Sequence, residues 1–259
     1  MLTPGHRLVA VGASNLARMT LALLDAQRAV VAGPVEMHAA LGRGRSYGMP
    51  SRLLGRGLDG ILASGLWAHL DDTRPTARAD ATTVLLMDVG NDLLYGAPVP
   101  HILAWTATAL QRLADLGTRR VVVGLPIAAI RTLSRWRFLA VRSVLFPKSR
   151  LTLAQAIDQA TAVHEGLADL AARTGATFHP LPAAWFGLDP VHVRRSRWQD
   201  AARSWLGTPT ALVPPRLDTA WQRCRLLTLA PAERRWFGRT TRHAQPARCF
   251  ADGSSLSLW

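Results

Sequence analysis

Arg7-Leu8-Val9-Ala10-Val11-Gly12-Ala13-Ser14-Asn15 is the stretch on which the fold turns. An apolar run of strand length ends at a glycine, which reads as a buried strand entering a turn. Leu16, Met19, Leu23 and Leu24 then recur at helical spacing to about Val31, and Gly33-Pro34 stops the pattern. The rest of the chain repeats this strand-to-helix rhythm. Residues 35–41 read as a second strand, followed by a glycine-rich loop from Gly42 to Gly48. Residues 83–89 read as a third strand running into Gly90-Asn91-Asp92, residues 101–116 as a helix, and residues 120–125 as a fourth strand. A long Ala-rich helix over 152–174 ends at Gly175. A short strand near 176–178 leads to a Pro-rich loop with Asp189-Pro190-Val191-His192, and 194–206 read as helical. Strands alternating with helices predict an α/β fold, a three-layer α/β/α sandwich around a mostly parallel sheet. Such sheets bind ligands beyond the carboxyl ends of their strands, at a switch in strand order.

After Gly207-Thr208-Pro209 the rhythm stops. The expected organisation is an α/β domain over 1–207 and an Arg/Trp-rich C-terminal extension over 208–259 packed on it. In that extension Ala251-Asp252-Gly253-Ser254 reads as a hairpin turn between 246–250 and 255–259.

The 259 residues suit one domain with an appendage. A globule of this size buries about 70–75% of its unfolded surface, enough for a core without staples. Cys224 and Cys249 lie far apart without metal-ligand spacing, which predicts free thiols. Residues 1–7 lack a basic-then-apolar leader, and no apolar run is long enough to span a bilayer. The expectation is a cytoplasmic protein with no membrane span. A net charge of +14 is the balance of many nucleic-acid binders. Lys148 is the only lysine, however, and so Arg-rich a composition fits coding bias better than phosphate binding. The excess is uneven: residues 1–130 hold 12 basic and 9 acidic residues, residues 131–259 hold 19 and 8. A solvated basic surface is the preferred reading over nucleic-acid binding. Nothing fixes an oligomeric state.

Four segments carry chemistry in chain order: Gly12-Ala13-Ser14, Gly42, Gly90-Asn91-Asp92 and Asp189-Pro190-Val191-His192. Alone, each has a bland reading: a helix-capping serine, a loop glycine, a turn, and a turn with a bonded histidine. Together they supply a serine nucleophile, a base, a group that orients the base, and oxyanion donors. Ser14 is a weak nucleophile until a base takes its proton, so His192 must reach it. Asp189 would then fix the imidazole tautomer and stabilise the imidazolium. Gly42-Arg43-Gly44-Arg45-Ser46-Tyr47-Gly48 has the look of a dinucleotide loop, but its last glycine comes one residue late and it follows the second strand. The remaining histidines lack metal spacing. No cofactor or metal is expected.

In these blocks the chain resembles the SGNH (GDSL-like) hydrolases, esterases and acetyl-esterases with a flavodoxin-like sandwich, over about residues 7–206. The family's Gly-Asp-Ser block corresponds to Gly12-Ala13-Ser14, with Ala13 in the aspartate's place. Its Gly-x-Asn-Asp block corresponds to Gly90-Asn91-Asp92 preceded by Val89 where a glycine is usual, and its Asp-x-x-His block to Asp189 and His192. The resemblance implies an acyl-enzyme on Ser14, an Asp189–His192 pair, and an oxyanion hole of Ser14, Gly42 and Asn91, with Gly44 a competitor for the glycine. It also implies a small-molecule ester, with a short acyl or acetyl group one option. Arg43, Gly44, Arg45 and Arg194 flank these blocks, as does Arg195, and the guanidinium groups suit an anionic substrate group. Residues 131–146 mix Arg131, Arg135, Arg137 and Arg142 with Trp136, Phe138 and Leu139; they read first as a helix covering the sheet, second as a lid or a lipid-touching helix. The competing functional reading is a non-catalytic α/β module whose basic surface binds nucleic acid or anionic ligands.

Overall fold

The computed structural model describes residues 6–31, 33–53, 56–73, 82–116, 119–146, 149–209 and 217–259. Residues 1–5 of the leader reading and Lys148 lie outside them. The strands are β1 (His6–Val11), β2 (Val35–Ala40), β3 (Ser51–Leu53), β4 (Arg56–Leu58), β5 (Thr82–Leu86), β6 (Arg119–Val123), β7 (Thr177–His179), β8 (Glu233–Trp236), β9 (Arg239–Arg242), β10 (Arg248–Cys249) and β11 (Ser255–Leu258). The α-helices are α1 (Ser14–Val30), α2 (Leu66–Thr73), α3 (Asn91–Leu94), α4 (Val99–Leu113), α5 (Ile127–Arg131), α6 (Arg135–Leu145), α7 (Leu153–Thr174), α8 (Trp198–Leu206) and α9 (Ala220–Leu226).

The main sheet runs β10-β11-β2-β1-β5-β6-β7, and every pairing but β10 with β11 is parallel. Its β2-β1-β5-β6-β7 portion has the flavodoxin-like order. The chain leaves β1 for β2 on one side and for β5 on the other, so the switch in strand order lies at the carboxyl end of β1. Alternate residues of β1 face opposite layers. Leu8 and Ala10 join a core with α1 and α8, including Leu16, Met19, Ala201 and Trp205. Val9 and Val11 join a core with α2, α4 and α7, including Leu70, Ile102, Val163 and Leu167. Helix α7 starts at a capping box, Thr152 with Gln155, and stops at left-handed Gly175, as its sequence demands.

Three departures from the expected elements have local causes. β5 ends at Leu86, short of the expected Val89, because Asp88 takes φ +63, which no strand accommodates. The expected helix over 194–206 begins as a 3-10 turn, Arg195–Arg197, before α8. The third concerns the chain after Gly207. The hairpin about residues 251–254 forms, and its second strand, β11, then inserts beside β2 in the main sheet, Leu256 opposite Met37. β8 and β9 join β3 and β4 in a separate small antiparallel sheet.

Candidate active site

The turn after β1 needs its glycine: a Cβ on Gly12 would meet Met87 Cγ at 2.8 Å and Leu16 Cβ at 3.2 Å. Ser14 follows as the first residue of α1, where the helix dipole is positive. Ala13, in the capping position, has no side-chain acceptor for the first free N–H groups. A distant carboxylate replaces it. Asp88 Oδ2 accepts from the Ala13 and Leu16 N–H groups, both at 3.0 Å, and its Oδ1 accepts from Asn15 Nδ2 at 2.8 Å. Asn15 Nδ2 also donates to the Val191 carbonyl at 3.1 Å, and Asn15 Oδ1 accepts from Val193 N–H at 2.9 Å. The start of α1 is thereby tied both to the end of β5 and to the loop bearing His192. Sequence reasoning assigned no role to Asp88 or Asn15. The one signal for Asp88 was a lone acid at the end of the apolar run Thr83-Val84-Leu85-Leu86-Met87.

His192 Nε2 lies 2.9 Å from Ser14 Oγ, and His192 Nδ1 lies 2.6 Å from Asp189 Oδ2. Asp189 Oδ1 accepts from the Val191 and His192 N–H groups at 3.1 and 3.2 Å. The Asp-x-x-His spacing is therefore a closed turn in which one carboxylate oxygen shapes the loop and the other holds the ring. Burial pushes the Asp189 carboxyl up, but the bond and charge of His192 and the two N–H bonds outweigh it, leaving its pKa below the usual carboxylate range.

Gly42 lies two residues beyond β2, as Ala13 lies two beyond β1, and Val11 pairs with Ala40. The site for the Gly42 Cβ is filled by Leu58 Cδ1, 2.5 Å away. Gly44 serves the turn instead, with φ +69 and its carbonyl accepting from Tyr95 Oη at 2.6 Å. Asn91 opens α3, and its Nδ2 donates to the Arg45 carbonyl at 3.2 Å. Behind it, buried Asp92 accepts from Ser46 Oγ and from Tyr47 N–H. Burial raises the Asp92 pKa to about 6. Tyr47 Oη faces the Val11 and Met87 carbonyls at 3.2 and 2.9 Å, locking the glycine-rich loop across β1 and β5.

The flanking arginines differ in use. Arg45 is buried and not turned to a substrate: its Nε donates to the Asp59 carbonyl at 3.0 Å and its Nη1 to the Leu41 and Trp259 carbonyls. Burial lowers its pKa to about 10, so it stays charged at neutral pH. Arg194 Nη2 donates to the Ala184 carbonyl at 2.5 Å. Arg43 is exposed.

A cavity of about 120 Å³ opens at Ser14 and Asn91, between the carboxyl ends of β5 and β6 and under α5 and α6. Leu93, Leu125, Ile130, Leu133 and Phe138 give it mainly apolar walls; Gly42, Arg43, Gly44, Arg45 and Arg194 lie outside it.

No family model and no curated protein sequence matches the chain. Among solved structures it is similar to TesA, with 15% identity over 80% of this chain and 99% of that one and a TM-score of 0.48. It is also similar to a member of the lipolytic protein G-D-S-L family from Veillonella parvula, with 12% identity, coverage of 80% and 99%, and a TM-score of 0.47. LAE5, an alpha/beta hydrolase from the metagenome of Lake Arreo, Spain, gives 13% identity, coverage of 82% and 98%, and a TM-score of 0.49. Identities this low leave the chemistry to be argued from the site itself.

Proposed function

We propose that the chain is a serine ester hydrolase acting through an acyl-enzyme on Ser14. The observation that carries this reading is the relay at the switch in strand order: Asp189 Oδ2, His192 and Ser14 Oγ in hydrogen-bonded sequence at 2.6 and 2.9 Å. Ser14 Oγ attacks the ester carbonyl carbon as His192 Nε2 takes the hydroxyl proton. The carbonyl oxygen becomes an oxyanion, received by the Ser14 and Gly42 N–H groups and Asn91 Nδ2. The carbon–oxygen bond to the alcohol then breaks, and His192 gives its proton to the leaving alkoxide. Water repeats the cycle on the acyl-serine: His192 takes its proton, the acid leaves, and Ser14 regains its hydroxyl. Asp189 stays ionised throughout and stabilises the imidazolium.

The size of the cavity supports a reading of the acyl class. At about 30 Å³ per water-sized group, its about 120 Å³ holds about four such groups. An acetyl group would leave about half of that apolar space empty, so the preferred substrate carries a short aliphatic acyl chain of about four carbons.

The test is labelling by a fluorophosphonate probe, with hydrolysis of p-nitrophenyl esters of increasing acyl length. Wild type should label, Ser14→Ala should not, and kcat/KM should rise from acetyl to butanoyl. Labelling that survives Ser14→Ala would overturn the nucleophile, and a maximum at acetyl would overturn the acyl assignment.

A further inference from the structure

We propose that the carboxyl edge of the main sheet is a docking face for an anionic lipid surface, with Ser14 at its centre. Five other parallel strands end on this edge, and two elements lie near it on either side of β1. On one side, α5 and α6 follow β6, and the loop carrying Leu188 follows β7. On the other, the β8–β9 hairpin pairs with β4, and its entry is fixed by the Ala232 N–H bonded to the Leu258 carbonyl at the end of β11.

Both elements offer large apolar groups to water. Trp136 on α6 is 71% exposed and Leu188 is 87% exposed, and Arg137 bonds the Leu188 carbonyl, joining the two. At the hairpin tip Trp236 is 51% and Phe237 78% exposed. The tip is a two-residue turn, with Phe237 at φ +46 and Gly238 at φ +81. A turn with two positive φ values asks for Asn or Asp at its first position, and a bulky aromatic there is unfavourable. Burial within the protein does not repay Phe237 for this conformation. Strain of this kind points to function.

The charge has the matching sign. Arg135 beside Trp136, Arg239 beside the tip, half-buried Arg56 opposite Trp236, and exposed Arg43 have no ion-pair partner among the described residues. The acids on these elements are already engaged: Asp59 and Glu233 with Arg235, and Asp189 with His192. Arginines ringing exposed aromatics match an interface of anionic headgroups over acyl chains, where the rings bury and the guanidinium groups stay at headgroup level. Nucleic acid would use the same charge, but it gives no account of an apolar cavity opening on the same edge. No described helix is long and apolar enough to cross a membrane, so the contact is peripheral.

The experiment is co-sedimentation of the full chain with vesicles of phosphatidylcholine, with and without phosphatidylglycerol, at low and high salt. Wild type should bind the phosphatidylglycerol vesicles, less so at high salt. Phe237→Asn restores the residue the turn prefers; it should bind about tenfold or more weakly, as loss of one buried ring implies. Its thermal midpoint and its hydrolysis of a soluble p-nitrophenyl ester should not fall. Ser14→Ala should bind vesicles as wild type does, which separates this proposal from the hydrolase reading: lost esterase activity with retained vesicle binding bears on Ser14 alone. No vesicle binding, equal binding by Phe237→Asn, or retention of single-stranded RNA without retention of vesicles would each overturn the docking face.

Discussion

Replacing Asp88 with alanine removes the acceptor for two N–H groups at the start of α1 and for the Asn15 amide. Ala13 and Leu16 are fully buried, so water does not substitute freely. Hydrogen bonds to a charged group are each worth about 1.5–3 kcal/mol, and a lost helix cap alone about 0.5–2 kcal/mol. These terms overlap, since one carboxylate makes all three bonds; the expected loss is about 3 kcal/mol. A further about 1 kcal/mol comes from alanine at φ +63. Glycine relieves that strain but restores no bond, and asparagine keeps one acceptor and tolerates the conformation. The expected order of stability is wild type, Asp88→Asn, Asp88→Gly, Asp88→Ala, spanning about 4 kcal/mol in urea unfolding at constant m-value. Activity should fall further than stability requires. The same bonds aim Ser14 at His192, and a displacement of about 1 Å costs about 10²-fold in rate. Fluorophosphonate labelling well below the unfolding midpoint reads this directly. An Asp88→Ala protein that unfolds at the wild-type midpoint, or one more stable than Asp88→Gly, would refute the capping role.

Asp92→Asn tests the buried carboxyl. Its folded pKa of about 6 exceeds the ordinary value of 3.8, so the fold binds more protons than the unfolded chain between those pH values, and stability falls as pH rises from about 4 to about 6. The variant's stability relative to wild type should therefore climb by about 3 kcal/mol across that window and then level off, and a flat difference in urea midpoints would remove the effect. Asn91→Ala should lower kcat by about 10²–10³-fold with KM little changed; a change confined to KM would exclude an oxyanion role. Gly48→Ala places a Cβ 2.1 Å from the Trp105 ring and should cost about 1–3 kcal/mol, visible as a lower thermal midpoint; an unchanged midpoint would mean that the indole moves aside freely.

The parallel βα pattern was legible because buried strands and amphipathic helices have different hydrophobic periods. The candidate residues Ser14, Asn91, Asp189 and His192 could be picked out because each stands in a short local block at a strand end or in a loop, and the structure brings the Ser14, His192 and Asp189 side chains together. Asp88 could not be: its role depends on β1 and β5 being neighbours, which no local pattern states. Arg45 misled for the related reason that an arginine beside a glycine-rich loop looks free to meet a ligand, whereas three carbonyls, of Leu41, Asp59 and the distant Trp259, hold it inside. β8 and β9 were missed because their exposed, Arg-rich strands lack an apolar alternation to read. The place of β11 could not be found locally either, since Ser-Leu-Ser-Leu pairs with a strand more than two hundred residues earlier.

That last pairing sets a timetable for biosynthesis. β2 leaves the ribosome early, but its outer hydrogen-bonding edge is covered only when β11 arrives, after roughly 215 further residues. At about 5–20 residues per second, the nascent sheet carries an open parallel edge for about 10–40 s. Such an edge is a template for intermolecular pairing. Expression yield should thus depend on chaperone supply and on the integrity of the carboxyl-terminal strand more steeply than its few buried side chains suggest.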